Sequence, residues 1–164
     1  MSWQFFWTKN QKLNECFKQI KKMLKGIPDI LSPELLKILM EMGHGDELVI
    51  ADGNFPAASY AQRLVRLDGH ATPLLLDAIL KLFPLDGFVD RPVTLMDVVP
   101  GDNYNPEIWE VYLKIIQLHE TNFSDFEMME RYAFYERAKK AYAIAATGEK
   151  ARYANIILKK GLLS

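Results

Sequence analysis

The sequence lacks several features that would assign it to a specialised class of protein. One of its 164 residues is a cysteine, Cys16, which excludes an internal disulfide and a zinc site built on several cysteines. Its 20 basic and 21 acidic residues leave a net charge of −1, too small to attract nucleic acid or an anionic membrane in general. No apolar run approaches the roughly 20 residues of a membrane span. These absences predict a globular protein, and the single cysteine is compatible with a reducing, cytoplasmic location.

The common catalytic fingerprints are also missing. The glycine pattern matches neither a P-loop nor a dinucleotide-binding turn, and the chain contains no H-E-x-x-H motif. It contains no G-x-S-x-G elbow either. The only cysteine lies in an atypical N-terminal segment, which disfavours a cysteine nucleophile. Any catalysis must therefore depend on other side chains.

Residues 1–22 differ in character from the rest of the chain. An aromatic cluster is followed by apolar residues at the i, i+3, i+4 and i+7 spacing of one helix face, namely Leu13, Cys16, Phe17 and Ile20. The short apolar stretch and the lack of a small-residue cleavage site argue against a secretory signal. Three interpretations stay open: an extra helix packed on the domain or on a neighbouring subunit, translation from a start upstream of Met23, or an interfacial membrane helix. We treat residues 1–22 as a leader that is helical, and residues 23–164 as one domain.

From residue 23 onward, helical and strand patterns alternate. Ser32 is a predicted N-cap with proline at the first helical position, and Gly43 is the predicted end of that helix. Further helices are predicted at 73–83, 106–119 and 134–141, and strands at 47–51, 63–67, 93–99, 127–131, 142–147 and 155–160. The strand at 47–51 is apolar over four consecutive residues, which predicts that both of its faces are covered. The pattern predicts an α/β domain with a mixed, mostly parallel sheet flanked by helices.

Two polar residues stand at the ends of the first predicted strand. His44 lies between two glycines, which let the backbone turn and a ligand approach. Asp52 follows the carboxyl end of the strand, where open α/β sheets bind ligands. The alternatives are an exposed turn histidine, an Asp-Gly turn, and a metal site formed by His44, Asp46 and Asp52, while Asp46 and Glu47 are most simply solvated.

Two later stretches carry further candidate binding groups. In "RYAFYER", the planar guanidinium of Arg131 is suited to an oxygen-rich ligand. The aromatic residues Tyr132, Phe134 and Tyr135 either offer a surface to a sugar ring or belong to the core at the start of a helix. In "RYAN", Tyr153 and Asn155 are neutral hydrogen-bonding groups that suit hydroxyls.

These stretches resemble the L-fucose mutarotase family, which belongs with D-ribose pyranase to one superfamily of sugar-anomer isomerases. The similar segments are "LSPELLKILMEMGHGDELVIADGNFPA" and "RYAFYERAKKAYAIAATGEKARYANIILKKG". The resemblance implies that His44 is the catalytic proton donor, that Asp52 and Arg131 bind substrate, and that the triplet Tyr153, Ala154 and Asn155 closes the pocket. Alanine stands at 154 where fucose mutarotases often have glycine, and pyranases commonly read "YAN", so this triplet does not discriminate between the two. The "FYERA" segment favours the fucose side, because pyranases tend to carry a histidine near the position of Tyr135.

The same resemblance implies no metal, no organic cofactor, and a homo-oligomer whose pockets are completed by a neighbouring subunit, with decamers among bacterial members. The expected activity is interconversion of the α and β anomers of L-fucose by general acid–base ring opening and closing. Histidine suits this chemistry because its ordinary pKa of about 6.5 lies near working pH. A D-ribose pyranase and a non-catalytic monosaccharide-binding protein are the alternatives.

Overall fold

The structure, a computed structural model, describes residues 24–163, so the expectations for the leader fall outside the described residues. Five helices and six strands occur within that range. The helices are α1 (Pro33–Glu41), α2 (Ala57–Tyr60), α3 (Thr72–Leu80), α4 (Ile108–His119) and α5 (Arg131–Ala138). The strands are β1 (Glu47–Ala51), β2 (Leu64–Leu67), β3 (Val93–Met96), β4 (Glu127–Met129), β5 (Ala143–Thr147) and β6 (Ile156–Lys159). None of the described helices is long and apolar enough to cross a membrane.

The six strands form one mixed sheet in the order β2-β5-β1-β6-β3-β4. β1 and β2 each pair in parallel with β5, and β3 pairs in parallel with β4. β6 is antiparallel to both of its neighbours, β1 and β3. All strands except β6 therefore end at the same edge of the sheet, which confirms the predicted mixed, mostly parallel α/β domain.

Helices cover both faces of this sheet, as the apolar run at 47–51 predicts. One face packs Leu48 and Ile50 of β1 against α1, α3 and α4 in the larger of two apolar clusters. The other face packs Val49 and Ala51 against residues of α2 and α5, including Phe134. Alternate side chains of β1 thus enter different layers of the core, because successive residues of a strand point to opposite faces.

Local capping explains where two of the helices begin. The Ser32 hydroxyl accepts a hydrogen bond from the backbone N–H of Leu35 at 3.2 Å, as predicted for the start of α1. The helix predicted at 134–141 instead occupies Arg131–Ala138. The prediction was wrong by three residues because the Glu130 carboxylate accepts hydrogen bonds from the backbone N–H groups of Tyr132 and Ala133, at 2.7 and 3.0 Å, and caps an earlier start. This shift places Arg131 at the first position of the helix.

The prediction that Asp46 and Glu47 are simply solvated was also wrong. The Glu47 carboxylate accepts hydrogen bonds from the Arg137 guanidinium, from Nε at 3.0 and 3.2 Å and from Nη2 at 2.8 Å. Arg137 also donates to Glu127 at 2.6 Å, which ties α5 to the first residues of β1 and β4. The Asp46 carboxylate accepts a hydrogen bond from the backbone N–H of Gly43 at 2.7 Å and closes the turn that precedes β1.

Gly148, which follows β5, gives a sharp test of packing at the carboxyl edge of the sheet. A Cβ atom at this residue would lie 2.0 Å from the backbone oxygen of Asp68, whereas a Cβ at Gly69 would meet nothing within 4 Å. We expect Gly148→Ala to lower the free energy of unfolding by about 2 kcal/mol or more, because backbone must move. Gly69→Ala is the matched control and should change it by less than about 0.5 kcal/mol. Chemical denaturation measures both, and equal values for the two variants would contradict this packing.

Candidate functional site

The predicted substrate-binding residues converge at the edge of the sheet where the five parallel strands end. A cavity of about 220 Å³ opens there. It is lined by Asp52, Asn54, Phe55, Met96, Val99, Arg131, Tyr135, Arg152, Tyr153 and Asn155. Residues far apart in sequence meet because β6 runs antiparallel beside β1, so that the segment entering β6 lies next to the residue leaving β1. The site is therefore a direct consequence of the strand order.

Asp52 and Asn155 hold each other through a reciprocal pair of hydrogen bonds. The backbone N–H of Asp52 donates to Oδ1 of Asn155 at 2.8 Å. The Asn155 amide Nδ2 donates to Oδ2 of Asp52 at 2.9 Å, and the backbone N–H of Asn54 donates to the other carboxylate oxygen at 2.9 Å. Asn155 thus orients the carboxylate as well as lining the cavity. The carboxylate also shapes the turn after β1, so the turn and ligand interpretations of Asp52 are compatible.

The environment of Asp52 opposes its charge. The residue is 5% exposed. Burial raises the pKa of the Asp52 carboxyl above its ordinary value, and the hydrogen bonds from Asn54, Phe55, Asn155 and Ala154 offset part of that rise. A buried carboxylate is stabilised by any additional hydrogen-bond donor, such as a hydroxyl group of a ligand.

Helix α4 fixes the backbone of the "YAN" triplet. The Trp109 indole N–H donates to the carbonyl oxygen of Tyr153 at 2.8 Å, and the Tyr112 hydroxyl donates to the carbonyl oxygen of Ala154 at 2.8 Å. Tyr153 has a φ of 58°, an uncommon left-handed conformation for a residue with a side chain. Ala154 is fully buried, so its contribution to the site passes through its backbone. Two aromatic donors and the Asn155 side chain hold the strained turn in place.

The loop between β3 and α4 closes one side of the cavity. The Tyr153 hydroxyl donates to Oδ2 of Asp102 at 2.7 Å, and Arg152 donates to the same oxygen at 3.2 Å. The hydrogen bond to Asp102 raises the pKa of the Tyr153 phenol. The Tyr104 ring lies 5.9 Å from the Tyr153 ring. The strand predicted at 93–99 ends at Met96, which frees this segment to turn toward the cavity.

Arg131 supplies one of the two cationic side chains that line the cavity, the other being Arg152. Its guanidinium Nη2 donates to the Tyr132 hydroxyl at 2.9 Å. Its Nε is buried and has no hydrogen-bond partner among the described residues. The aromatic residues of "RYAFYER" divide between the two predicted roles: Tyr135 lines the cavity, whereas Phe134 is fully buried in the core.

His44 lies at the opposite edge of the sheet from this cavity. It precedes β1, and Asp52 follows it, so a five-residue strand that spans roughly 17 Å separates them. The His44 imidazole Nε2 donates to Oδ1 of Asp86 at 3.1 Å, and its ring centroid lies 5.5 Å from that of Phe88. The His44 side chain is 40% exposed, whereas that of Asp86 is 5% exposed. Within one chain, His44 cannot reach the cavity.

Asp86 is a polar partner that the sequence analysis missed. Hydrogen bonds from the Phe88 backbone and from His44 hold the pKa of the Asp86 carboxyl below its ordinary value. An ionised carboxylate only accepts hydrogen bonds, so it holds the proton of His44 on Nε2 and leaves Nδ1 as the nitrogen without that proton. Asp86 lies 42 positions from His44 in the sequence, and no local motif joins the two.

The separation of His44 from Asp52 also contradicts the metal site proposed from His44, Asp46 and Asp52. The first two residues precede β1, and the third follows it. Over residues 24–163, no group of three or more histidine, cysteine, aspartate or glutamate side chains is arranged to hold a metal ion.

An α/β domain with a small polar cavity at its carboxyl edge is the architecture of a protein that binds a small ligand. The chain matches the RbsD/FucU transport protein family over residues 25–163 and belongs to it. It is 50% identical, over 140 residues, to the L-fucose mutarotase of Actinobacillus pleuropneumoniae, an alignment that covers 85% of this chain and 97% of that protein.

Two solved structures are also similar. The fucose mutarotase of Streptococcus pneumoniae in complex with L-fucose is 55% identical, with a TM-score of 0.82 over 86% of this chain and all of that one. FucU of Bifidobacterium longum is 55% identical, with a TM-score of 0.83 over 85% of this chain and all of that one. The fold and the family expected from the sequence are therefore confirmed.

The buried carboxylate predicts a pH-dependent effect of Asp52→Asn on stability. Because burial raises the folded-state pKa of Asp52, the ionised wild type carries a destabilising contribution at neutral pH. That contribution disappears as pH falls through the raised pKa toward the ordinary value of about 4. The free energy of unfolding of the variant, minus that of wild type, should therefore be larger near pH 7 than near pH 4. Urea unfolding at both pH values measures this, and the reverse trend would show that the fold favours the Asp52 anion.

Proposed function

We propose that this protein interconverts the α and β anomers of L-fucose. The observation that carries the proposal is the convergence of Asp52, Arg131, Tyr153 and Asn155 on one cavity. A volume of about 220 Å³ is below the roughly 300–1,000 Å³ of sites for drug-sized ligands and suits a monosaccharide. The similarity to a fucose mutarotase whose structure contains L-fucose supports the choice of sugar.

The two sides of the cavity match the two kinds of surface on a 6-deoxy sugar. Asp52 supplies an acceptor and the Arg131 guanidinium supplies N–H donors, which suit hydroxyl groups. Phe55, Met96 and Val99 supply an apolar wall on which the methyl group of fucose can pack. The site would therefore distinguish fucose from a sugar with a hydroxyl at that carbon, because a buried unpaired hydroxyl is unfavourable.

Mutarotation needs a proton delivered to the ring oxygen and another removed from the anomeric hydroxyl. The open-chain aldehyde then rotates before the ring closes on its other face. His44 is the proposed acid–base group, since its side chain is 40% exposed and Asp86 holds Nε2–H, which leaves Nδ1 to exchange a proton with the sugar. Asp86 is a positioning residue in this scheme, comparable to the carboxylate that orients a catalytic imidazole in other enzymes. Asp52 binds a sugar hydroxyl, with Asn155 holding the carboxylate in place.

We further propose that His44 acts in the cavity of a neighbouring subunit of a homo-oligomer. The support is geometric, since His44 and the cavity lie at opposite edges of one sheet. His44, Asp86 and Phe88 then form one half of the site, and the Asp52 cavity forms the other. Phe88 is 77% exposed in the single chain, and Tyr132 beside the cavity is 63% exposed. Both would be covered in such an assembly, whose ring size, a decamer included, is open to measurement. A cytoplasmic location fits metabolism of a free monosaccharide.

Proton-exchange NMR on L-fucose at anomeric equilibrium tests the activity. We expect cross-peaks between the α and β anomeric protons to grow faster with the wild-type protein, and His44→Ala to lower the exchange rate by roughly 10²–10⁴-fold. Binding of fucose without faster exchange would instead indicate a non-catalytic sugar-binding protein. Faster pyranose–furanose exchange on D-ribose, with none on fucose, would indicate a pyranase.

Mixed oligomers test whether each site is shared between two subunits. His44→Ala and Asp52→Asn should each be nearly inactive alone, because each lacks one half of every site. When the two are co-assembled in equal amounts, about one quarter of the sites contain both intact halves, so about one quarter of wild-type exchange should return. Separately prepared variants, mixed without subunit exchange, are the control. If His44 served its own chain's cavity, co-assembly would restore nothing.

A further inference from the structure

An apolar groove lies where the described part of the chain begins. It has a volume of about 230 Å³ and contains almost no polar lining apart from Asp29. The apolar side chains around it are Leu24, Ile27, Pro28, Leu31, Pro33 and Leu36. A cavity of about 150 Å³ is enough to bind a benzene ring, so this groove can accept an aromatic side chain with aliphatic neighbours. It lies on the turn before α1 and on the first turn of that helix, away from the cavity that contains Asp52.

Asp29, which lines this groove, has one polar atom without a hydrogen-bond partner among the described residues. That atom, Oδ1, is buried. A buried acceptor without a donor is unfavourable, and it is more so when it belongs to a carboxylate. An occupant that complements this groove would therefore be apolar on one side and carry a positively charged group or an N–H donor.

The segment immediately before the groove has both properties. Leu13, Cys16, Phe17 and Ile20 form an apolar stripe at helical spacing, and Lys21 and Lys22 follow it directly. Only three residues separate this stripe from Leu24. Gly26 has a φ of +77°, the left-handed conformation of a tight turn, so the chain changes direction next to the groove.

We propose that residues 13–20 form a helix that docks into this groove of their own chain, with Phe17 inserted and a lysine ammonium of the following pair paired with Asp29. The short connection favours the chain's own segment over a second copy, because it keeps the local concentration of the segment high. The family match begins at residue 25, and 86% of this chain covers all of the Streptococcus pneumoniae structure, so that relative has the domain without a counterpart of the rest of this chain. The leader is then an added element of the domain, independent of the sugar-binding cavity.

Disulfide capture tests the docking, because Cys16 is the only cysteine of the chain and lies on the stripe. Leu36→Cys places a second thiol in the groove, and Leu118→Cys places one on α4 at a residue that is 77% exposed and does not line the groove. Under mild oxidation of the full chain, we expect the Leu36→Cys protein to form an intrachain disulfide and the control to form little. Cα atoms must approach within about 7 Å for such a bond.

The products are separated by non-reducing electrophoresis and peptide mass analysis. An intrachain bond between Cys16 and the new cysteine supports the proposal. A bond between two chains would overturn it in favour of docking onto a second copy, and equal yields for the two variants would overturn docking at this groove altogether.

Thiol labelling provides a second measurement that leaves the domain unchanged. In the otherwise wild-type chain, Phe17→Glu should make Cys16 react about tenfold faster with a disulfide reagent, because the charge displaces the segment from the groove. Asn14→Glu adds the same charge off the stripe and is the matched control, which should leave the rate near that of wild type. Equal rates for all three proteins would contradict docking.

Discussion

The structure of the site depends on one constraint, the antiparallel insertion of β6 between β1 and β3. A wholly parallel sheet would bring only strand ends to the carboxyl edge. Because β6 runs the other way, the segment before it arrives at the same edge and places Asn155 against Asp52. The reciprocal hydrogen bonds between these residues join two segments that lie 103 positions apart in the sequence. The left-handed turn at Tyr153 and the two hydrogen-bond donors from α4 fix the path of the segment that leads into β6. That path determines where the Asn155 side chain meets Asp52.

The same arrangement explains why the proposed proton donor and the proposed binding pocket lie on different surfaces of the subunit. β1 is rigid and buried on both faces, so it fixes His44 and Asp52 at a constant separation. Neither residue can move toward the other without disrupting the sheet. A shared site in an oligomer removes this conflict, since the proposed proton donor and the proposed binding pocket can each be preorganised on a stiff element before they meet. Preorganised groups lose less freedom when substrate binds.

Helix α5 carries charged residues toward both edges of the sheet and an apolar residue into the core. The Glu47–Arg137 ion pair holds α5 against the sheet at the edge that carries His44. Arg131, at the start of the same helix, lines the cavity at the other edge. Helix α5 therefore connects the edge that carries His44 with the edge that carries the cavity. Its apolar residue Phe134 anchors it in the core, which leaves its polar residues fixed in direction. One helix thus combines a structural role with a proposed binding role.

Sequence patterns alone predicted the main elements. The cap at Ser32, the continuously apolar strand at 47–51 and the alternation of helices and strands are local signals, because spacing and capping depend on neighbouring residues. Boundaries set by a particular side chain, such as the Glu130 cap that starts α5 at Arg131, were missed. The short helix α2 was missed too, since four residues carry no usable periodicity.

The chemical candidates came from the sequence as well, through motifs at His44, Asp52, Arg131 and the "YAN" triplet. What these residues touch was decided only by tertiary structure. The pairing of His44 with Asp86, the support of Asp52 by Asn155 and the separation of His44 from the cavity all depend on strand order and direction. Strand order is set by the burial of the whole sheet between two helical layers, and such long-range packing leaves no signature in the spacing of neighbouring residues.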